Sequence, residues 1–64
     1  MRINDAIEKA NTGQGIRRSN WHDDICIVPT DTDKCCFIVE NGTTISPRWN
    51  PKREDLLATN WALA

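Results

Sequence analysis

The chain has 64 residues, room for one domain (1–64) and no second, and a formal net charge of −1. So slight an acidic balance excludes a generic nucleic-acid binder or membrane-surface binder acting through bulk charge. No apolar run approaches a membrane span, and the opening Met1-Arg2-Ile3-Asn4-Asp5 lacks the apolar stretch of a signal peptide, so the expectation is a soluble protein of the cytoplasm. Residues 4–12 predict a helix: Ile3, Ala6, Ile7 and Ala10 recur at helical spacing, Asn4 is available as N-cap, and Gly13 can supply a left-handed cap. Residues 16–21 read as a first strand with weak alternation. Ile25-Cys26-Ile27-Val28 reads as a short apolar strand ended by Pro29, and Cys35-Cys36-Phe37-Ile38-Val39 as a stronger one, separated by the polar turn at 30–33. Asn41-Gly42 is the strongest hairpin signal, of the type I′ kind, sending Thr43-Thr44-Ile45 back as a partner strand. Asn50 followed by Pro51 reads as the N-cap and first residue of a short helix through Leu57, with residues 59–63 as a last strand. The predicted fold class is α+β: a small antiparallel sheet with an N-terminal helix and a short second helix.

Chains of this length bury little surface and often need outside support. Three Cys is an odd count, Cys35 and Cys36 are adjacent, and no Cys/His spacing suits zinc; the cysteines read as small buried hydrophobes, with no metal or cofactor implied. With metal and disulfide discounted, self-association into a homodimer or larger assembly is the expected source of extra stability. The aromatic residues are three Trp and one Phe, with no Tyr, and five of eight basic residues (Arg17, Arg18, Arg48, Lys52, Arg53) lie within five positions of Trp21 or Trp49. Flat rings beside fixed positive charge suit a ligand carrying a base and phosphates. Trp61, flanked by Ala62 and Leu63, reads as core, whereas Trp21 and Trp49 fit a core or a ligand face equally well.

Strand parity places Arg17, and not Arg18, on the face of Trp21. Lys52 and Arg53 fall in the first turn of the second helix, where backbone N–H groups attract anions. Asp55 reads as an ion-pair partner of Lys52 or Arg53, or as an acceptor for a ligand ribose. His22-Asp23-Asp24 reads as a solvated turn, since no Ser or Cys sits in a nucleophile-elbow context; the expectation is a binding protein and no enzyme.

The pattern Trp49-x-Pro51-x-x-x-Asp55-Leu56-Leu57-Ala58-x-x-Trp61, with Arg18-x-x-Trp21 and an opening Ala6-Ile7-Glu8 helix leading to Gly13, resembles the Thoeris anti-defense 2 family of small phage proteins. The resemblance runs over nearly the whole chain, in order. It implies a non-catalytic sponge that captures a cyclic ADP-ribose-type signal, or a cyclic oligonucleotide, and so keeps a bacterial defence effector off. It also implies a dimer or tetramer acting in the cytoplasm of the infected host. By motif position it nominates Trp21, His22, Trp49, Asn50 and Asp55 as pocket residues, to which the charge pattern adds Arg17, Lys52 and Arg53. Two departures stand out: His22-Asp23 where the family commonly has Asn-Gly, and Asn60 where it commonly has Asp. An alternative use of the same Trp/Arg surface is inhibition of a host defence nuclease or regulator by protein–protein contact.

Overall fold

A computed structural model describes all residues, Met1–Ala64. In chain order it contains helix α1 (Ile3–Lys9), strands β1 (Ile16–Arg18), β2 (Ile25–Pro29), β3 (Cys36–Glu40) and β4 (Thr43–Ser46), helix α2 (Arg53–Leu57) and strand β5 (Trp61–Leu63). The strands form one sheet in the order β4-β3-β2-β1-β5, with every neighbouring pair antiparallel. The α+β expectation therefore holds. No helix is long and apolar enough to cross a membrane.

Register explains where the core sits. Ile16 faces Ile27, Ile27 faces Ile38, and Arg18 faces Trp61. Directly opposed residues share a sheet face, so one row of isoleucines crosses three strands. Ala6 of α1 and Trp61 of β5 close over that row, with Ala6, Ile16, Ile27 and Trp61 all buried. Ile3, Ala10, Trp21, Ile38 and Trp49 pack around them half-buried. Only seven residues are buried in all, so each large side chain carries much of the stability.

Several boundaries differ from expectation, each for a local reason. The first helix spans residues 3–9 and not 4–12: Arg2 is its N-cap, Asn4 lies inside it, and Ala10 is already extended. Met1 sets the start, because its carbonyl accepts from the Trp61 N–H and its ammonium donates to the carbonyls of Thr59 and Trp61, all within 3.0 Å. Gly13 is left-handed (φ 83°), but it serves the following turn, where Gln14 N–H donates to the Asn11 carbonyl. The first strand stops at Arg18, since the Arg18 carbonyl turns to accept from the Trp21 N–H.

The hairpin is as predicted: Asn41 and Gly42 both have positive φ (52° and 75°) between the paired Glu40 and Thr43. Beyond it, Val39 pairs with Thr44 and Ile38 with Ser46, so Ile45 is an inserted, exposed residue on the edge strand. The second helix begins at Arg53, with Lys52 and not Asn50 as N-cap. The Asp55 carboxylate dictates this by accepting from the Lys52 backbone N–H at 2.9 Å, the reach-back half of a capping box. Cys35 lies in a turn at φ 55° and is exposed, outside the strand in which it was expected to pack.

Candidate functional site

The three indoles meet. Trp21 and Trp61 have ring centroids 5.2 Å apart, Trp49 and Trp61 5.8 Å, and Trp21 and Trp49 6.0 Å, with interplanar angles of 70–82°. Each pair is thus edge-to-face, the arrangement ring quadrupoles favour, worth about 0.5–1.5 kcal/mol per pair beyond area burial. Trp61 is the hub: it is 1% exposed, and its Nε1–H donates to the Asp55 backbone carbonyl at 2.8 Å. Its expected core role is what the structure shows.

Trp21 and Trp49 divide their surfaces between the core and a cleft. That cleft has a volume of about 260 Å³ and is lined by Trp21, His22, Ile25, Ile27, Ile38 and Trp49. Its floor consists of alternate strand residues on one sheet face, and its walls are the two indoles. A planar group cannot be sandwiched between them. Two stacked contacts need about 3.5 Å on each side of the guest, whereas the rings stand 6.0 Å apart at 70°. A base entering here lies against one indole face and the isoleucine floor.

The position of each wall has a local cause. Trp21 follows the Ser19-Asn20 turn, and its carbonyl accepts from Arg17 Nη1 at 3.3 Å. The turn breaks the alternation that parity assumed. Arg18, directly opposite Trp61 in register, lies on the face where the indoles gather, while Arg17 meets Trp21 through its backbone carbonyl. Trp49 is brought back to β3, where its N–H donates to the Cys36 carbonyl at 2.7 Å. His22, at the rim, is largely exposed in a turn, with Nδ1 accepting from the Asp24 N–H at 3.3 Å.

The charged candidates are arranged differently from expectation. Arg17 Nη1 pairs with Asp23 at 3.1 Å. Asp55 pairs with neither the Lys52 nor the Arg53 side chain but with Arg18, whose Nη1 lies 2.9 Å from Asp55 Oδ1. Lys52 and Arg53 make no ion pair and are exposed, as is Asn50, and none of the three lines the cleft. Both oxygens of the nearly buried Asp55 are engaged inside the chain.

Arg18 also donates through Nε to Asn60 Oδ1, and Asn60 Nδ2 donates to Ser19 Oγ and Asn20 Oδ1. An acid at position 60 could accept from Arg18 but could not donate onward, so Asn60 suits the turn it faces. Sequence reasoning missed Arg18 and Asn60 as the polar brace behind the indoles, and Ile25, Ile27 and Ile38 as the cleft floor. The i, i+2 spacing of Ile25 and Ile27 was the available signal.

Burial pushes the thiols of Cys26 and Cys36 above the ordinary thiol value. For Cys26 the nearby Arg17 charge partly offsets the effect; for Cys36 the Cys35 thiol adds to it and a backbone hydrogen bond at Thr30 opposes it. A second, wider cavity of about 510 Å³ lies between the end of α1 and the Pro29–Thr32 segment, floored by Ile7, Val28 and Phe37.

The sequence model of the Thoeris anti-defense 2-like domain matches residues 1–64. No curated protein and no solved structure matches the chain. The motif that carries the family resemblance supplies two of the three clustered indoles, the helix cap and the partner of Arg18. With the family model covering its full length, the chain belongs to the Thoeris anti-defense 2-like family.

Proposed function

We propose that the chain is a non-catalytic sponge that binds a cyclic nucleotide immune signal, of the cyclic ADP-ribose type or a cyclic oligonucleotide, and withholds it from a defence effector. The observation that carries this reading is the cleft walled by Trp21 and Trp49 over an isoleucine floor. A base stacked on an aromatic wall is worth about 1–3 kcal/mol, and sequestration asks for binding alone. The base occupies the cleft, and the phosphates lie outside it. There Lys52 and Arg53, three and four residues beyond Trp49, are exposed and free of internal ion pairs. Arg17 joins them only by exchanging Asp23 for the ligand. His22 acts at the rim, Asn50 acts outside the cleft beside Lys52, and Asp55 acts through the brace it forms with Arg18. The active form is a homodimer or homotetramer in the cytoplasm of the infected host.

The test is a thermal shift with cyclic ADP-ribose isomers and cyclic oligonucleotides, since a ligand bound only by the folded state raises Tm by mass action. One compound giving a large shift supports the sponge. Trp49→Ala should abolish that shift while the chain still melts cooperatively, whereas retention of the shift in both Trp49→Ala and Trp21→Ala would remove the cleft from the mechanism. A second reading, inhibition of a host protein, rests on Leu56 and Leu57, which leave about half of their surface exposed beside Arg53. It requires a host protein to co-purify with the chain from infected cells while the nucleotide panel gives no shift.

A further inference from the structure

Three non-glycine residues have left-handed backbones: Cys35 (φ 55°), Asn41 (φ 52°) and Arg48 (φ 60°). Asn41 is accounted for by its hairpin turn. The other two are residue types that rarely adopt this conformation and hold it only where surroundings over-determine it. They are also neighbours in space. Arg48 N–H donates to the Lys34 carbonyl at 2.9 Å, Arg48 Nε donates to the Asp33 carbonyl at 3.1 Å, and Trp49 N–H donates to the Cys36 carbonyl at 2.7 Å. Two strained residues thus face each other across a clasp whose next residue is the Trp49 wall of the cleft.

The guanidinium of Arg48 makes no ion pair and is directed instead at a neutral carbonyl. Its position beside Trp49 in the sequence suggests a cation for phosphate, but its contacts are those of a geometric brace. We propose that Arg48 is a positioning residue: its left-handed backbone and its Nε–H clasp on Asp33 hold Trp49 on β3 and thereby set the spacing between Trp49 and Trp21. The ligand part of this proposal rests on the sponge reading; the positioning part does not.

Arg48→Lys separates the two roles, because it keeps the charge and removes the planar Nε–H donor. Two measurements decide. The first is the near-ultraviolet circular dichroism of the ligand-free protein, dominated by the clustered indoles. The second is the Kd for cyclic ADP-ribose at low and high salt. We expect R48K to change the indole spectrum. We also expect it to weaken binding about tenfold, roughly the loss of one base stack, equally at both salt concentrations. Arg48→Asn, which tolerates the left-handed backbone but lacks the clasp, should do the same and carries the test if R48K does not fold. Gly42→Ala, which strains the β3–β4 hairpin turn and whose added Cβ meets nothing within 4 Å, should lower Tm without changing the indole spectrum. An R48K protein with the wild-type spectrum overturns the proposal. So does wild-type affinity in R48K combined with lost, salt-sensitive affinity in R48N, which would make Arg48 a charge partner of the ligand. If the wild-type chain binds no cyclic ADP-ribose, the sponge reading is what suffers, and the spectrum of R48K still decides the clasp.

Discussion

Two glycines of this chain resist substitution for opposite reasons, and the difference can be measured. A Cβ at Gly15 would collide with Cys26 Sγ and lie 3.0 Å from its Cβ, although the Gly15 backbone is not left-handed. A Cβ at Gly42 would meet nothing within 4 Å, but φ is +75°. Gly15→Ala is therefore an overpacking change, with an expected loss of about 2 kcal/mol. Gly42→Ala loses only backbone preference, about 1 kcal/mol. Urea melts of both should rank them in that order, and Gly15→Ala in a Cys26→Ala background should recover much of its loss because the colliding sulfur is gone. The thiols give a second residue-scale expectation. Cys35 is exposed while Cys26 and Cys36 are half-buried with raised pKa, so iodoacetamide should label Cys35 first, as peptide mass mapping would show. The raised values also fix a pH dependence. Below the ordinary thiol value of 9.0 both states hold these protons. Above it the unfolded chain releases them while the folded chain retains them, so stability falls as pH rises from about 9 toward the folded pKa values. Thermal melts between pH 8 and 10.5 should decline in wild type and less steeply in Cys26→Ala.

Between elements, the connection that matters most is Arg18 on β1 to Asp55 on α2. Both side chains are mostly buried, and Asp55 additionally caps its helix and offers its carbonyl to Trp61. Removing one partner of such a pair leaves an uncompensated charge, a loss on the order of 3 kcal/mol. Arg18→Ala should lower Tm far more than Arg53→Ala, whose side chain is exposed and makes no ion pair. Elements were legible in the sequence where chemistry is local. The Asn41-Gly42 hairpin, the apolar strands and the two helices follow from turn residues and periodicity. What was not legible depended on distant partners. The start of α1 is set by Met1 against β5, the cap of α2 by the carboxylate of Asp55, and the end of β1 by the turn into Trp21. The same holds for the site. Trp21, His22 and Trp49 carried visible signals of ring and charge. The pairing of Arg18 with Asp55 spans 37 positions and is specified only by the β1–β5 register.

At the scale of the molecule, Ile27 and Ile38 do two jobs at once: they belong to the packed interior and they floor the cleft. Trp21 and Trp49 likewise wall the cleft and pack on Trp61. A larger protein can keep its foundation and its binding surface in separate layers, whereas here one layer of side chains serves as both. Any drift of the cleft toward a new guest through its floor or walls is thus also a trial of whether the chain folds. The room for change lies at the rim, where His22 is exposed. Variants selected for a different signal should therefore accumulate at the rim, while the isoleucine row stays fixed in volume.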